Sequence, residues 1–111
     1  MSEEKTVRGT TWPMVLLAEI TGERAKSWTA ALEDHNIIVL LEPSVIRAAM
    51  IATREQPHVV IVPASLPNER TEKVREAARD IGADVLTLSL ELSATQVADL
   101  VEKSLKKRMK R

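Results

Sequence analysis

Cysteine is absent, and with it go disulfide frames, thiolate chemistry and thiolate-bound metal. Phenylalanine and tyrosine are absent too, leaving Trp12 and Trp28 as the only aromatics. The chain therefore has no series of stacking platforms for single-stranded nucleic acid, and its core must be built from Ile, Leu, Val, Ala and Met. Its three glycines, Gly9, Gly22 and Gly82, stand far apart. A Gly-rich loop that cradles phosphate is thereby excluded. There is no net charge, because 16 basic and 16 acidic side chains cancel, so no global field draws nucleic acid, membrane or acidic substrates. No apolar run is long enough to span a bilayer. Glu3, Glu4 and Lys5 open the chain where a secretory signal would carry an apolar stretch. These absences fit a reducing, cytoplasmic setting and no cofactor.

What remains is an ordinary globular balance over 111 residues, enough for one domain. The clearest stretch is 56–67, in which Val59, Val60, Ile61 and Val62 stand between Pro57 and Pro63. A short, unbroken β-branched run bounded by turn signals predicts a strand buried on both faces. Residues 14–18 and 37–41 predict two more such strands. Residues 85–90 alternate, with Leu86, Leu88 and Leu90 against Val85, Thr87 and Ser89, as a less buried edge strand does.

Helical spacing fills the intervals. Thr21 is placed to cap a first helix whose inner face is Ala25, Trp28, Ala31 and Leu32, with 33–36 as the exit turn. Ser44 is placed to cap a second, lined by Val45, Ile46, Ala49 and Ala52 or by Ala48 and Ile51, which stops before Pro57. A third begins at Asn68, carries Val74, Ala77, Ala78 and Ile81, and ends at Gly82 in a left-handed turn. Ser93 and Gln96 form a capping box for the fourth, whose inner face is Val97, Leu100, Val101 and Leu105. Strands alternating with helices predict a parallel sheet with right-handed crossovers, an α/β three-layer sandwich of (βα)4 form. The expected organisation is a flexible leader over 1–12, one domain over 13–107 and a basic tail over 108–111.

Several motifs in this order resemble the receiver domain of response regulators, a flavodoxin-like fold. Residues 15–19 resemble that family's first strand, which ends in an acidic pair. Residues 56–62 resemble its third strand, Leu66-Pro67 the dipeptide after its phosphoacceptor, Gly82-Ala83-Asp84 the approach to its fifth strand, and 93–107 its closing helix. The resemblance spans about residues 14–107, lacks one βα unit and implies strand order 2-1-3-4. It also implies a site in which an acidic pair holds Mg²⁺, an aspartate takes phosphate and a lysine contacts it. Here Glu19 matches the first acid, Ile20 replaces the second, Pro63 stands at the phosphoacceptor and Ser89 at the lysine. Mg²⁺ needs several oxygen ligands, and phosphoryl transfer needs both metal and nucleophile. The resemblance thus implies a degenerate site that accepts no phosphate, in a non-enzymatic module of bacterial signalling or cell organisation that works through protein contacts.

The last βα unit is the expected contact surface, namely Leu86, Leu88, Leu90, Val97, Leu100 and Val101, with Trp12 as a further candidate. The missing unit and the apolar strand at 37–41 point to a homodimer or a docked protein. Glu19 is otherwise a solvated strand-end carboxylate, and Trp28 a core residue. His35 and His58 have no triad spacing and are structural. Two other functions fit: a small-molecule sensor using Glu19, Pro63 and Ser65, and an adaptor meeting nucleic acid or an acidic protein through Lys103, Lys106, Lys107, Arg108, Lys110 and Arg111. The nucleic-acid partner is the weaker expectation, since dipole and solubility also account for these cations.

Overall fold

In a computed structural model, the backbone is described for residues 6, 7 and 10–109 and the side chains for 12–107. The expected leader over 1–12 lies partly outside the described residues, as do the side chains of Arg108, Lys110 and Arg111. Within the leader, β1 (Thr6–Val7) and β2 (Thr10–Thr11) form a two-residue antiparallel ladder.

The domain proper runs β3 (Met14–Ala18), α1 (Gly22–Asp34), β4 (Ile38–Glu42), α2 (Val45–Glu55), β5 (Val59–Pro63), α3 (Asn68–Ile81), β6 (Asp84–Leu88) and α4 (Ala94–Met109). The four longer strands form one parallel sheet in the order β4-β3-β5-β6, which is 2-1-3-4 among the βα units. The strand between the prolines is at the sheet's interior, buried along its whole length. Pleating sends alternate side chains to opposite faces. Val15, Leu17, Val59 and Ile61 therefore meet α1 and α4, while Leu16, Ala18, Val60 and Val62 meet α2 and α3. The closing helix thus returns to the α1 face instead of extending the α2–α3 layer.

Local signals account for most boundaries. Ser44 Oγ accepts from Arg47 N at 3.3 Å, and the Ser93–Gln96 box closes in both directions at 3.1 and 2.9 Å. Gly82 ends α3 at φ +77°, where a Cβ would be strained. Thr21 stands at the N-cap of α1 but makes no side-chain cap bond, because the helix opens on Gly22 at φ +68°. The second strand begins one residue later than expected: Ile38 N donates to Pro13 O and starts the ladder, while Ile37 N closes back on Leu32 O. The last strand ends at Leu88, since Ser89 accepts from Glu91 N through its hydroxyl and from Leu92 N through its carbonyl, turning the chain away. On α2 the buried face is Val45, Ala48 and Ala52, so Ile46 points outward, contrary to one reading of its periodicity. Small alanines there let α2 approach the sheet and α3 closely, a fit that Ile46 would prevent.

Candidate functional site

The carboxyl edge of an open α/β sheet is where loops and helix N-termini converge. Glu19 follows β3 there with φ +58°, an unusual conformation for a non-glycine residue. Its N–H donates to Glu42 O at 2.8 Å, tying the ends of β3 and β4. Its Oε1 accepts from Val45 N at 3.0 Å and from Arg70 Nη2 at 2.9 Å. Glu19 is therefore not the solvated carboxylate expected from sequence. It caps α2, where the positive end of the helix dipole favours an anion, and it holds a guanidinium. Arg70 lies in the first turn of α3, where a cation opposes the dipole, so its pairing with Glu19 offsets an unfavourable placement. Glu42 is likewise engaged, its Oε2 accepting from Ser44 N at 3.0 Å.

The other positions that the resemblance sets against the receiver site are arranged differently. Ile20 is 2% exposed and packs in the α1–α4 core, so adjacent residues Glu19 and Ile20 address opposite layers. Pro63 is buried at the end of β5 in register with Leu88, and Ala64 N extends that ladder by donating to Leu88 O at 2.8 Å. Ser65 is exposed in the following turn, and the Ser89 hydroxyl is used in a turn of its own. The sequence-predicted positions thus gather at one edge of the sheet, but with one carboxylate, already doubly bonded. Among the described residues no three His, Asp or Glu side chains form a cluster that could hold a metal.

Both histidines lie at the opposite, amino edge or beyond it. His58 Nδ1 accepts from Met14 N at 3.0 Å while its own backbone N–H donates to Met14 O at 2.8 Å, a two-way clasp between β3 and β5. His35 Nδ1 lies 2.8 Å from Glu102 Oε2, linking the end of α1 to α4. Trp28 is in the core at 1% exposure, and Trp12 is half-buried before β3.

Of the expected contact surface, Val97 and Val101 are fully buried in the α1–α4 core and cannot meet a partner in the folded chain. The same inward spacing that predicted their helix face puts them there. Leu86, Leu88 and Leu90 are half-buried against that core, and Leu100 is exposed. Lys103, Lys106 and Lys107 are exposed on α4. Sequence reasoning missed Arg70, although a cation in the first turn of a helix is itself a signal that a carboxylate waits nearby.

No protein-family model matches the chain, and no curated protein matches it. Solved structures do. The signal receiver domain of a putative LuxO repressor protein from Vibrio parahaemolyticus superposes with TM-score 0.69 at 19% identity, over 86% of this chain and 92% of that one. A response regulator from Desulfuromonas acetoxidans gives 0.58 at 16% identity, over 86% and 97%. A de novo designed Rossmann-fold protein gives 0.60 at 18% identity, over 84% and 96%. Likeness to both natural receivers and a designed sheet establishes architecture, while function has to be argued from the site. The chain has the flavodoxin-like α/β fold of receiver domains, with four βα units.

Proposed function

We propose that this chain is a receiver-like module that has given up phosphotransfer and acts through protein contacts, as a scaffold or interaction partner in bacterial signalling or cell organisation. The observation that carries this reading is the Arg70 guanidinium on Glu19 Oε1 at 2.9 Å. In the receiver pattern a metal cation would sit on that acidic position; here a side-chain cation from α3 meets it. Ile20 supplies no second carboxylate, Pro63 has no nucleophile, and Ser89 carries no charge to meet a phosphoryl group. Incubation with acetyl phosphate and Mg²⁺, followed by intact-mass measurement, is expected to show no phosphoryl adduct. An adduct mapped to this edge would end the reading.

Self-association belongs to the same proposal. Leu41 is 51% exposed at the β4 edge, and Ile46 and Met50 are 66% and 65% exposed one turn apart on the adjoining α2. Ile46 and Met50 share one face of α2, while Leu41, in register with Leu17, points to the α1 side of the same sheet edge; exposed apolar side chains of this size favour a covered surface. Sedimentation should show a concentration-dependent dimer that Ile46→Glu with Met50→Glu reduces to monomer. A parent chain that stays monomeric into the high micromolar range removes this part.

A further inference from the structure

The sheet has a second open edge, β6, and its surroundings differ from those of β4. Asp84 N donates to His58 O and Ala64 N donates to Leu88 O, so the main-chain groups of residues 84, 86 and 88 face β5. Polar groups alternate along a strand, which turns those of Val85 and Thr87 outward. Beside them, β6 and α4 border an open groove of about 460 Å³ lined by Val85, Leu86, Leu100, Lys103 and Lys107, among others. Ser104 is 7% exposed at its wall and donates to Asp84 Oδ2 at 2.5 Å, so the acid within the groove is already engaged.

The two lysines are the informative pair. They stand four residues apart on one face of α4, a like-charge spacing that costs an isolated helix stability. Neither has a carboxylate at ion-pair distance among the described residues. Four helical residues rise about 6 Å. Two residues of a strand advance about 6.6 Å. A strand added to β6 would therefore present every second side chain in step with Lys103 and Lys107.

We propose that β6 accepts an extended acidic segment of a partner protein. Its main chain pairs with Val85 and Thr87, and carboxylates two residues apart meet Lys103 and Lys107. The residues between the carboxylates face the other side of the sheet, beside Val85, and are apolar. A second copy fits worse here. Antiparallel pairing of two β6 edges about a two-fold normal to the sheet sets all four lysines on one face, and lysine beside an edge is a common guard against such pairing. This inference rests on the interaction-module reading and names the surface and chemistry of one partner; it is separate from the self-association patch on β4 and α2.

The test uses the full chain and a fluorescein-labelled octapeptide alternating Glu with Val, with a Lys–Val peptide as control. The acidic peptide should bind with an affinity that falls as salt rises, and the control should not bind. Lys103→Glu with Lys107→Glu should weaken binding by about tenfold or more, while Lys26→Glu on α1 should leave it unchanged. Val85→Pro removes an outward N–H that the fold itself does not use, so it should abolish binding with the circular-dichroism melt retained. Because that variant could lose its fold, hydrogen exchange on the parent gives an independent reading: bound peptide should slow the Val85 and Thr87 amides. Absence of binding overturns the proposal, as does lysine-dependent binding of peptide or oligonucleotide without protection of those two amides. Neither result touches the phosphotransfer experiment, whose positive outcome would instead sink the broader reading.

Discussion

Ile20→Asp is expected to remove roughly 4 kcal/mol or more of folding stability and to create no metal site. On paper the change supplies the acidic pair of a receiver. In this chain it does not, because residues 19 and 20 point to opposite layers. Glu19 reaches Val45 and Arg70 on the α2–α3 side, whereas Ile20 is 2% exposed among Val15, Leu17 and Trp28 on the α1–α4 side. Deleting a buried isoleucine to alanine costs about 2–5 kcal/mol by lost contacts and cavity alone. A carboxyl group without a hydrogen-bond partner adds at least about 1–3 kcal/mol even after it neutralises itself. Against a total of roughly 5–15 kcal/mol for a domain of this size, most of the margin goes. Urea titration followed by circular dichroism measures it, with Ile20→Val as the companion change at about 0.5–1.5 kcal/mol. If Ile20→Asp unfolds at the parent midpoint, or gains Mg²⁺ affinity by calorimetry, then the side chain can swing to the sheet edge and the argument against metal binding weakens.

The parts of the fold legible in sequence were those written locally. Pro57 and Pro63 bracket a run of β-branched residues, and such a run can only be an interior strand once helices separate it from its neighbours. Ser44, Ser93 with Gln96, and Gly82 act within a few residues of themselves, so their roles could be read without the rest of the chain. The carboxyl-edge site was legible only as departures from the pattern it resembles. Its positive content, the bond from Arg70 to Glu19, joins residues 51 apart in sequence, and no local pattern encodes that distance. The inner face of α2 was ambiguous for a different reason. In the run from Val45 to Ala52 nearly every position is apolar, so periodicity cannot say whether Ile46 or Ala48 faces the sheet; the closeness of α3 decides it in favour of alanine. The β4 edge is obscured likewise, because Ile38, Val39, Leu40 and Leu41 carry no polar residue to mark the face left open.

Trp28→Ala is expected to cost about 3–5 kcal/mol, the largest loss of any truncation to alanine in the chain. Trp28 heads the fully buried side chains by size at 1% exposure. It projects from the middle of α1 into the cluster that also holds Val97, Ala98 and Val101 of α4 and Val15 and Leu17 of β3. With no phenylalanine or tyrosine in the chain, no second aromatic of the core fills part of the vacated volume. The neighbours are short or β-branched side chains that collapse poorly into an indole-sized cavity, so the cavity term stays high. Circular dichroism in urea is the proper readout, since the substitution leaves Trp12 as the sole fluorophore. Met50→Ala, at a side chain 65% exposed on α2, should move the midpoint by less than about 0.5 kcal/mol if the chain is monomeric under the assay. The consequence extends to binding. Helix α4 is held to the domain through this cluster, the Ser104–Asp84 bond and the His35–Glu102 contact, and it carries Lys103 and Lys107. Trp28→Ala should therefore weaken the acidic peptide even at temperatures where the sheet remains folded, because the lysines lose their fixed register with β6. Unchanged peptide affinity in a measurably destabilised Trp28→Ala chain would show that α4 keeps its place by other contacts, and that the spacing of its lysines does not depend on the core beneath them.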